Sequence, residues 1–127
     1  MNLLRAAGRA MTGAPYIKLG YDAATDPGMR VDAAAPLLDK LPLPVDNETV
    51  VRANGAVQAL GGALISVGIA PRLAAAGVLA SLVPTTFVGH AFWDFDDPAM
   101  RGQQQIQFLK NLALAGGLVT IMAAGNK

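Results

Sequence analysis

Leu73-Ala-Ala-Ala-Gly-Val-Leu-Ala-Ser-Leu-Val-Pro-Thr-Thr-Phe-Val-Gly-His-Ala-Phe-Trp93 is a continuous run without one charged side chain. Crossing the hydrocarbon core of a bilayer takes about 20 apolar residues in a helix, so the run predicts a membrane span over 73–93. Pro84 removes an amide from its hydrogen-bond ladder and is expected to kink it, with Thr85 and Thr86 placed to satisfy the freed carbonyl. Two further stretches have the same character. Residues 49–70 carry only Arg52, near their start, and residues 104–124 are interrupted only by Lys110. Glycine and alanine crowd these segments, which suits close helix packing in lipid; Gly55, Gly61, Gly62, Gly68, Gly116 and Gly117 are the expected contact points.

Composition agrees. Of 127 residues, 53% are apolar and 15% charged, where a soluble domain has about 25% charged. Net charge is +1, which points to neither nucleic acid nor an acidic partner. With no cysteine and one histidine, disulfides, thiolate metal sites, thiol redox chemistry and multi-histidine centres are excluded from this chain alone, and no metal site is expected.

Residues 3–21 are a weaker candidate span. Arg5, Arg9, Lys18 and Pro15 leave no clean apolar core, so the segment does not read as a secretory leader either. Counting it as a span sorts the acids: Asp22, Asp26, Asp32, Asp39, Asp46 and Glu48 fall in one loop and Asp94, Asp96 and Asp97 in another, on the same side. Arg5, Arg9, Arg72 and Lys127 fall on the other side, against Arg30, Lys40, Arg52 and Arg101 on the acidic one. The expected fold is therefore an all-α polytopic membrane four-helix bundle in one domain, 1–127, with helices over 3–21, 49–70, 73–93 and 104–124. Three spans with an interfacial first helix are the alternative. The Arg5/Arg9 pair and the short basic turn at Gly68–Arg72 favour cytoplasmic termini and a cell (inner) membrane location, multi-pass.

In the outer loop 22–48, Asp26-Pro27 reads as a cap followed by a first-turn proline. A short interfacial helix is expected there, with Val31, Leu37, Leu38 and Leu41 on its apolar side and Pro42 and Pro44 ending it.

Polar side chains inside the membrane are costly without partners, so function is sought there. Gln103, Gln107 and Lys110 fall on one face of the last helix, with Asn111 beside them; Asn54 and Gln58 are four apart in the second, and His90 sits near the end of the third. All lie toward the acidic side. They outline a polar pocket in one leaflet, suited to a quinone-like head group or to proton relay. The alternative is plain inter-helix hydrogen bonding, with Lys110 reaching up to Asp94, Asp96 or Asp97. Phe87, Phe92, Trp93 and Phe95, with Tyr16 and Tyr21, read as an interfacial aromatic belt. Glycine-rich phosphate loops, nucleophile elbows and paired haem histidines are missing from the sequence.

Gly89-His90-Ala91-Phe92-Trp93, the run Gln103-Gln104-Gln105-Ile106-Gln107-Phe108-Leu109-Lys110-Asn111-Leu112, and Gln58-Ala59-Leu60-Gly61-Gly62 resemble the DoxX-like family of small four-helix membrane proteins, over roughly 45–124. The resemblance implies four spans and an association with membrane redox assemblies. It also implies that many members carry a glutamate where this chain has Gln58, which argues against a carboxylate proton carrier here. The leading expectation is an accessory or structural subunit of a larger membrane complex, without catalysis of its own, in contact with the lipid bilayer and other membrane subunits. The alternatives are a quinone-linked oxidoreductase subunit and a small-solute or lipid-handling protein. The chain holds no cofactor motif of its own, and a quinone is the cofactor such a pocket would suit.

Overall fold

A computed structural model describes residues 2–124; Lys127, counted above on the basic side, lies outside them. Five α-helices follow one another: α1 (Leu3–Thr25), α2 (Met29–Leu38), α3 (Asn47–Val67), α4 (Pro71–Gly89) and α5 (Pro98–Ala124), with a 3-10 turn at Phe92–Asp94. Among the described residues there is no strand. The chain is all-helical, but three helices rather than four are long and apolar enough to cross a membrane: Asn47–Val67, the segment Pro71–Asp94 and Pro98–Ala124. The first helix falls short on composition, because Arg5, Arg9 and Lys18 dilute it.

Local chemistry sets the boundaries. Asn2 caps α1, its side chain accepting from the Leu4 and Arg5 amides at 3.0 and 3.2 Å. Asp46 caps α3 by accepting from the Thr49 amide at 2.8 Å. Gly68 closes α3 in the left-handed region, φ 77°, where glycine meets no Cβ penalty, and Pro71 opens α4 after a three-residue turn. Asp26 closes α1 rather than opening α2, whose N-cap is Gly28 at φ 52°. The reason is that helix α1 continues past Tyr21 until Arg52 meets its end: the guanidinium donates to the Ala24 and Thr25 carbonyls at 2.8 and 3.1 Å. Helix α5 begins at Pro98, ahead of the apolar run, because proline is well suited to a first turn.

Helix α1 packs along α3, α3 along α4 and α4 along α5, while α5 returns only lightly to α1. The α1–α3 contact is antiparallel and made by glycines: Gly13 meets Gly62, and Gly20 meets Gly55. Gly61 faces Val78 of α4. Gly116 and Gly117, by contrast, have open space where a Cβ would stand, so they are not helix contacts within this chain.

The core joins Tyr16, Ile65, Ala74, Ala75, Val78, Leu82 and Leu118. These positions lie in the half of the bundle away from α2, toward the α3–α4 turn. Tyr16 is 4% exposed and belongs to this core, not to a surface belt; Tyr21 is exposed. Outside, Leu60, Leu73 and Leu112 are each more than 60% exposed. Large apolar side chains pointing away from a well-packed centre match hydrocarbon surroundings.

Candidate functional site

Above the core, in the half nearer α2, the helices separate around a cavity of about 490 Å³. Its floor includes Tyr16 and Leu82, shared with the core. Helix α3 contributes Val51, Asn54 and Gln58, α4 contributes Thr85 and His90, and α5 contributes Gln107, Asn111 and Leu114. The roof is α2, through Arg30, Ala34, Leu37 and Leu38. This helix lies on the end of the bundle, with Ala34 only 8% exposed.

Five sequence-selected residues, Asn54, Gln58, His90, Gln107 and Asn111, thus share one cavity wall. Gln103 and Lys110 are not among its lining; both are exposed on α5. Among the described residues Lys110 has no ion pair with Asp94, Asp96 or Asp97.

The wall is organised by three hydroxyls, Ser81, which the sequence did not single out, and Thr85 and Thr86, which it singled out only as partners for the carbonyl freed by Pro84. Ser81 donates to the Asn54 side-chain oxygen at 2.7 Å, and the Asn54 amide donates to the Thr85 hydroxyl at 2.9 Å. Thr85 in turn donates to the Ser81 carbonyl at 2.9 Å, which leaves its oxygen free to accept. Across the next interface the Asn111 amide donates to Thr86 at 3.0 Å, and Thr86 donates to the Leu82 carbonyl at 2.8 Å. The two threonine hydroxyls each donate within their own helix and accept from a neighbour, while Ser81 donates across to α3. Neither threonine bonds the Ala80 carbonyl that Pro84 leaves without its amide. The helix nevertheless continues through Pro84.

Other polar groups at the cavity remain unspent. Gln58, 9% exposed, reaches Thr85 only at 3.5 Å, too long for a strong bond. Gln107 makes no hydrogen bond among the described residues. The Tyr16 hydroxyl is buried and without a partner. His90 is fixed by a 2.9 Å contact between Nδ1 and the Gln104 amide oxygen. That oxygen can only accept, so Nδ1 donates in this contact and Nε2 is the ring nitrogen left without a partner among the described residues. Arg30 makes a single long contact, 3.4 Å, to the Asp26 carbonyl and no ion pair. No aspartate or glutamate lines the cavity, although the acids gather at this end of the molecule. Among the described residues no three metal-ligating side chains come together.

Beside the cavity Phe87, Phe92, Trp93 and Phe108 form edge-to-face contacts at 5.2–5.9 Å between ring centres, with Phe87 and Trp93 tilted at 6.0 Å. Phe108 of α5 takes the place expected for Phe95, because α5 brings its inner face against the end of α4. The cluster ties the two helices together where the 3-10 turn joins them.

A family model described as DoxX matches residues 4–91. The chain belongs to the DoxX family. The match covers α1 through α4, further toward the N-terminus than the resemblance read from the sequence, and ends before Phe108–Leu112. In this DoxX protein the cavity therefore draws on the matched segment for three of its long-helix walls and on α5 for the fourth. No curated protein and no solved structure matches the chain.

Proposed function

We propose that this DoxX protein is a four-span accessory subunit of the cell membrane that holds an apolar molecule with a small polar head, and has no catalytic centre of its own. The observation that carries the reading is the cavity: apolar walls from five helices, a band of amides and hydroxyls, and no carboxylate to act as acid or base. Sites that bind apolar ligands typically have this make-up, a greasy enclosure with a few placed polar groups. A role beside larger partners rests on α5, in which Leu118 is the single buried residue of the helix. The fourth span rests on the α1–α3 pairing, since a helix held antiparallel to a span along its length shares that span's depth. Cytoplasmic termini follow from Arg5, Arg9 and Arg72 at one end.

The test is purification in a mild detergent, followed by denaturing extraction and mass spectrometry of small molecules. A near-stoichiometric amphiphile in the wild type, lost in Leu114→Trp, supports the reading. A folded protein that yields no such molecule above an unrelated membrane control removes it.

A second reading, a quinone-linked redox subunit, is favoured by His90, whose Gln104 contact leaves Nε2 free to accept from a quinol hydroxyl. Lys110 carries no part of it, being outside the lining. Here His90→Ala would abolish quinone-dependent turnover by the native complex while assembly persists; unchanged turnover would discard the idea.

A further inference from the structure

We infer that the cavity selects a single-chain amphiphile with an acidic head, a long-chain carboxylate, and that Arg30 on the roof helix is its counter-charge. The inference rests on the binding role proposed above and narrows the ligand class.

Charge sign is the first argument. All nine acidic residues fall in the connections at the α2 end of the molecule or at the helix ends beside them, yet none lines the cavity. The fixed charge on its wall is Arg30. Asp26 and Asp32 are close to Arg30 in sequence, but its guanidinium pairs with neither carboxylate and touches only a backbone carbonyl at 3.4 Å. An arginine on the cavity lining with one long backbone contact and no ion pair has its fork of donors available to a ligand. A carboxylate fits that fork with two parallel bonds.

The second argument is the balance of side-chain donors. The Gln58 and Gln107 amides lie at the wall with no short bond made. Together with Arg30 they place N–H donors on the cavity lining. An ionised carboxylate, which only accepts, can take up such donors.

Size is the third. At roughly 30 Å³ per methylene-sized group, about the share of a water in the liquid, 490 Å³ holds about 16 such groups. That volume matches one chain of this length. Leu19, Leu37, Leu38, Val51, Leu82 and Leu114 provide the apolar wall for that chain.

The test uses the full chain in detergent, with labelled hexadecanoate and the isosteric hexadecan-1-ol as probes, at a pH where the acid is ionised. Expected is tighter binding of the carboxylate by about 10-fold, the scale of one charge-assisted bond. Arg30→Gln should remove that preference, weakening the carboxylate about 10-fold and the alcohol much less. Because Arg30 is exposed on a short helix, this variant is expected to fold; its melting curve checks that. Equal affinity for acid and alcohol in the wild type, or equal weakening of both by Arg30→Gln, overturns the inference while the binding role stands. If neither probe binds, or Leu114→Trp fails to displace the alcohol, both the binding role and the inference fall.

Discussion

Gly20 and Gly55 face each other so closely that a Cβ on Gly20 would stand 2.5 Å from the Gly55 carbonyl oxygen, and one on Gly55 would stand 2.7 Å from the Gly20 carbonyl oxygen. Backbone is what each would strike, and helix backbone cannot swing aside as a side chain does. Seven residues on, Gly13 and Gly62 repeat the arrangement. Two glycine pairs in a heptad step fix the approach of α1 to α3, and with it one wall of the cavity.

Gly20→Val should therefore force the helices apart, costing about 2–3 kcal/mol, the upper part of the range for overpacking. Gly117→Ala is the contrast, with nothing within 4 Å of the new Cβ; it should be neutral or stabilise by about 0.5–1 kcal/mol through helix propensity. Denaturant titration in detergent micelles compares them. Equal stability of the two variants would mean that the glycine pairs do not set the packing.

The Asn54 amide is held at both ends, accepting from Ser81 and donating to Thr85. Asn54→Ala removes the side-chain link between α3 and the two hydroxyls, leaving Ser81 only the Asn54 carbonyl at 3.2 Å and Thr85 its own helix, and is expected to cost about 1 kcal/mol. In a double-mutant cycle with Thr85→Val, the coupling should be about 0.6–1.7 kcal/mol, the span measured for hydrogen bonds between membrane helices. Additive effects would show that Asn54 and Thr85 touch without stabilising one another.

The spans containing Leu73 and Leu112 were readable because hydrocarbon imposes a length and an apolar content that a run of residues displays directly. Packing was less so. Gly116-Gly117 and Gly61-Gly62 look alike in sequence, but a glycine pair records only that another helix can approach, and no helix of this chain approaches Gly116. Gly13 and Gly20 were hidden by Pro15 and Lys18, which mark their segment as a poor span although its inner face is as smooth as that of α3. At the site, Asn54, Gln58, Gln107 and Asn111 announced themselves as amides in an apolar context. Ser81, Thr85 and Thr86 did not, since a hydroxyl in a helix can always bond its own backbone, and only the neighbouring helix reveals the second role. Arg30 was legible only as part of a short interfacial helix on the acidic side; its place over the cavity depends on how α2 folds back onto the bundle.

Asp46 gives a pH dependence with a definite sign. Hydrogen bonds from the Thr49 side chain and then the Thr49 amide hold its carboxyl below the ordinary carboxylate range. A depressed folded-state value means that ionised Asp46 stabilises the start of α3 above the unfolded value, about 3.9, and that this contribution is lost as pH falls through the folded value. Wild type should lose protection of the first α3 amides as pH falls through and below the ordinary carboxylate range, and Asp46→Asn should lose less, because its amide oxygen caps without titrating. Hydrogen exchange along this series decides it; superimposable profiles would remove the role of cap ionisation.

Whether α1 crosses the membrane is decided by where its two ends lie, and the chain, having no cysteine, suits mapping by single introduced thiols. The pairing of Gly13 with Gly62 and Gly20 with Gly55 makes α1 enter where α3 leaves. Asn2 then shares a side with Arg72, after α3, and Asp39, before α3, shares the other with Asp96, between α4 and α5. In intact cells an impermeant thiol reagent should label Asp39→Cys and Asp96→Cys, and should reach Asn2→Cys and Arg72→Cys only after permeabilisation. Labelling of Asn2→Cys together with Asp39→Cys, while Arg72→Cys stays protected, would make α1 an interfacial helix. That result would also conflict with the glycine contacts, because a helix lying in the interface plane cannot stay antiparallel to α3 along both glycine pairs.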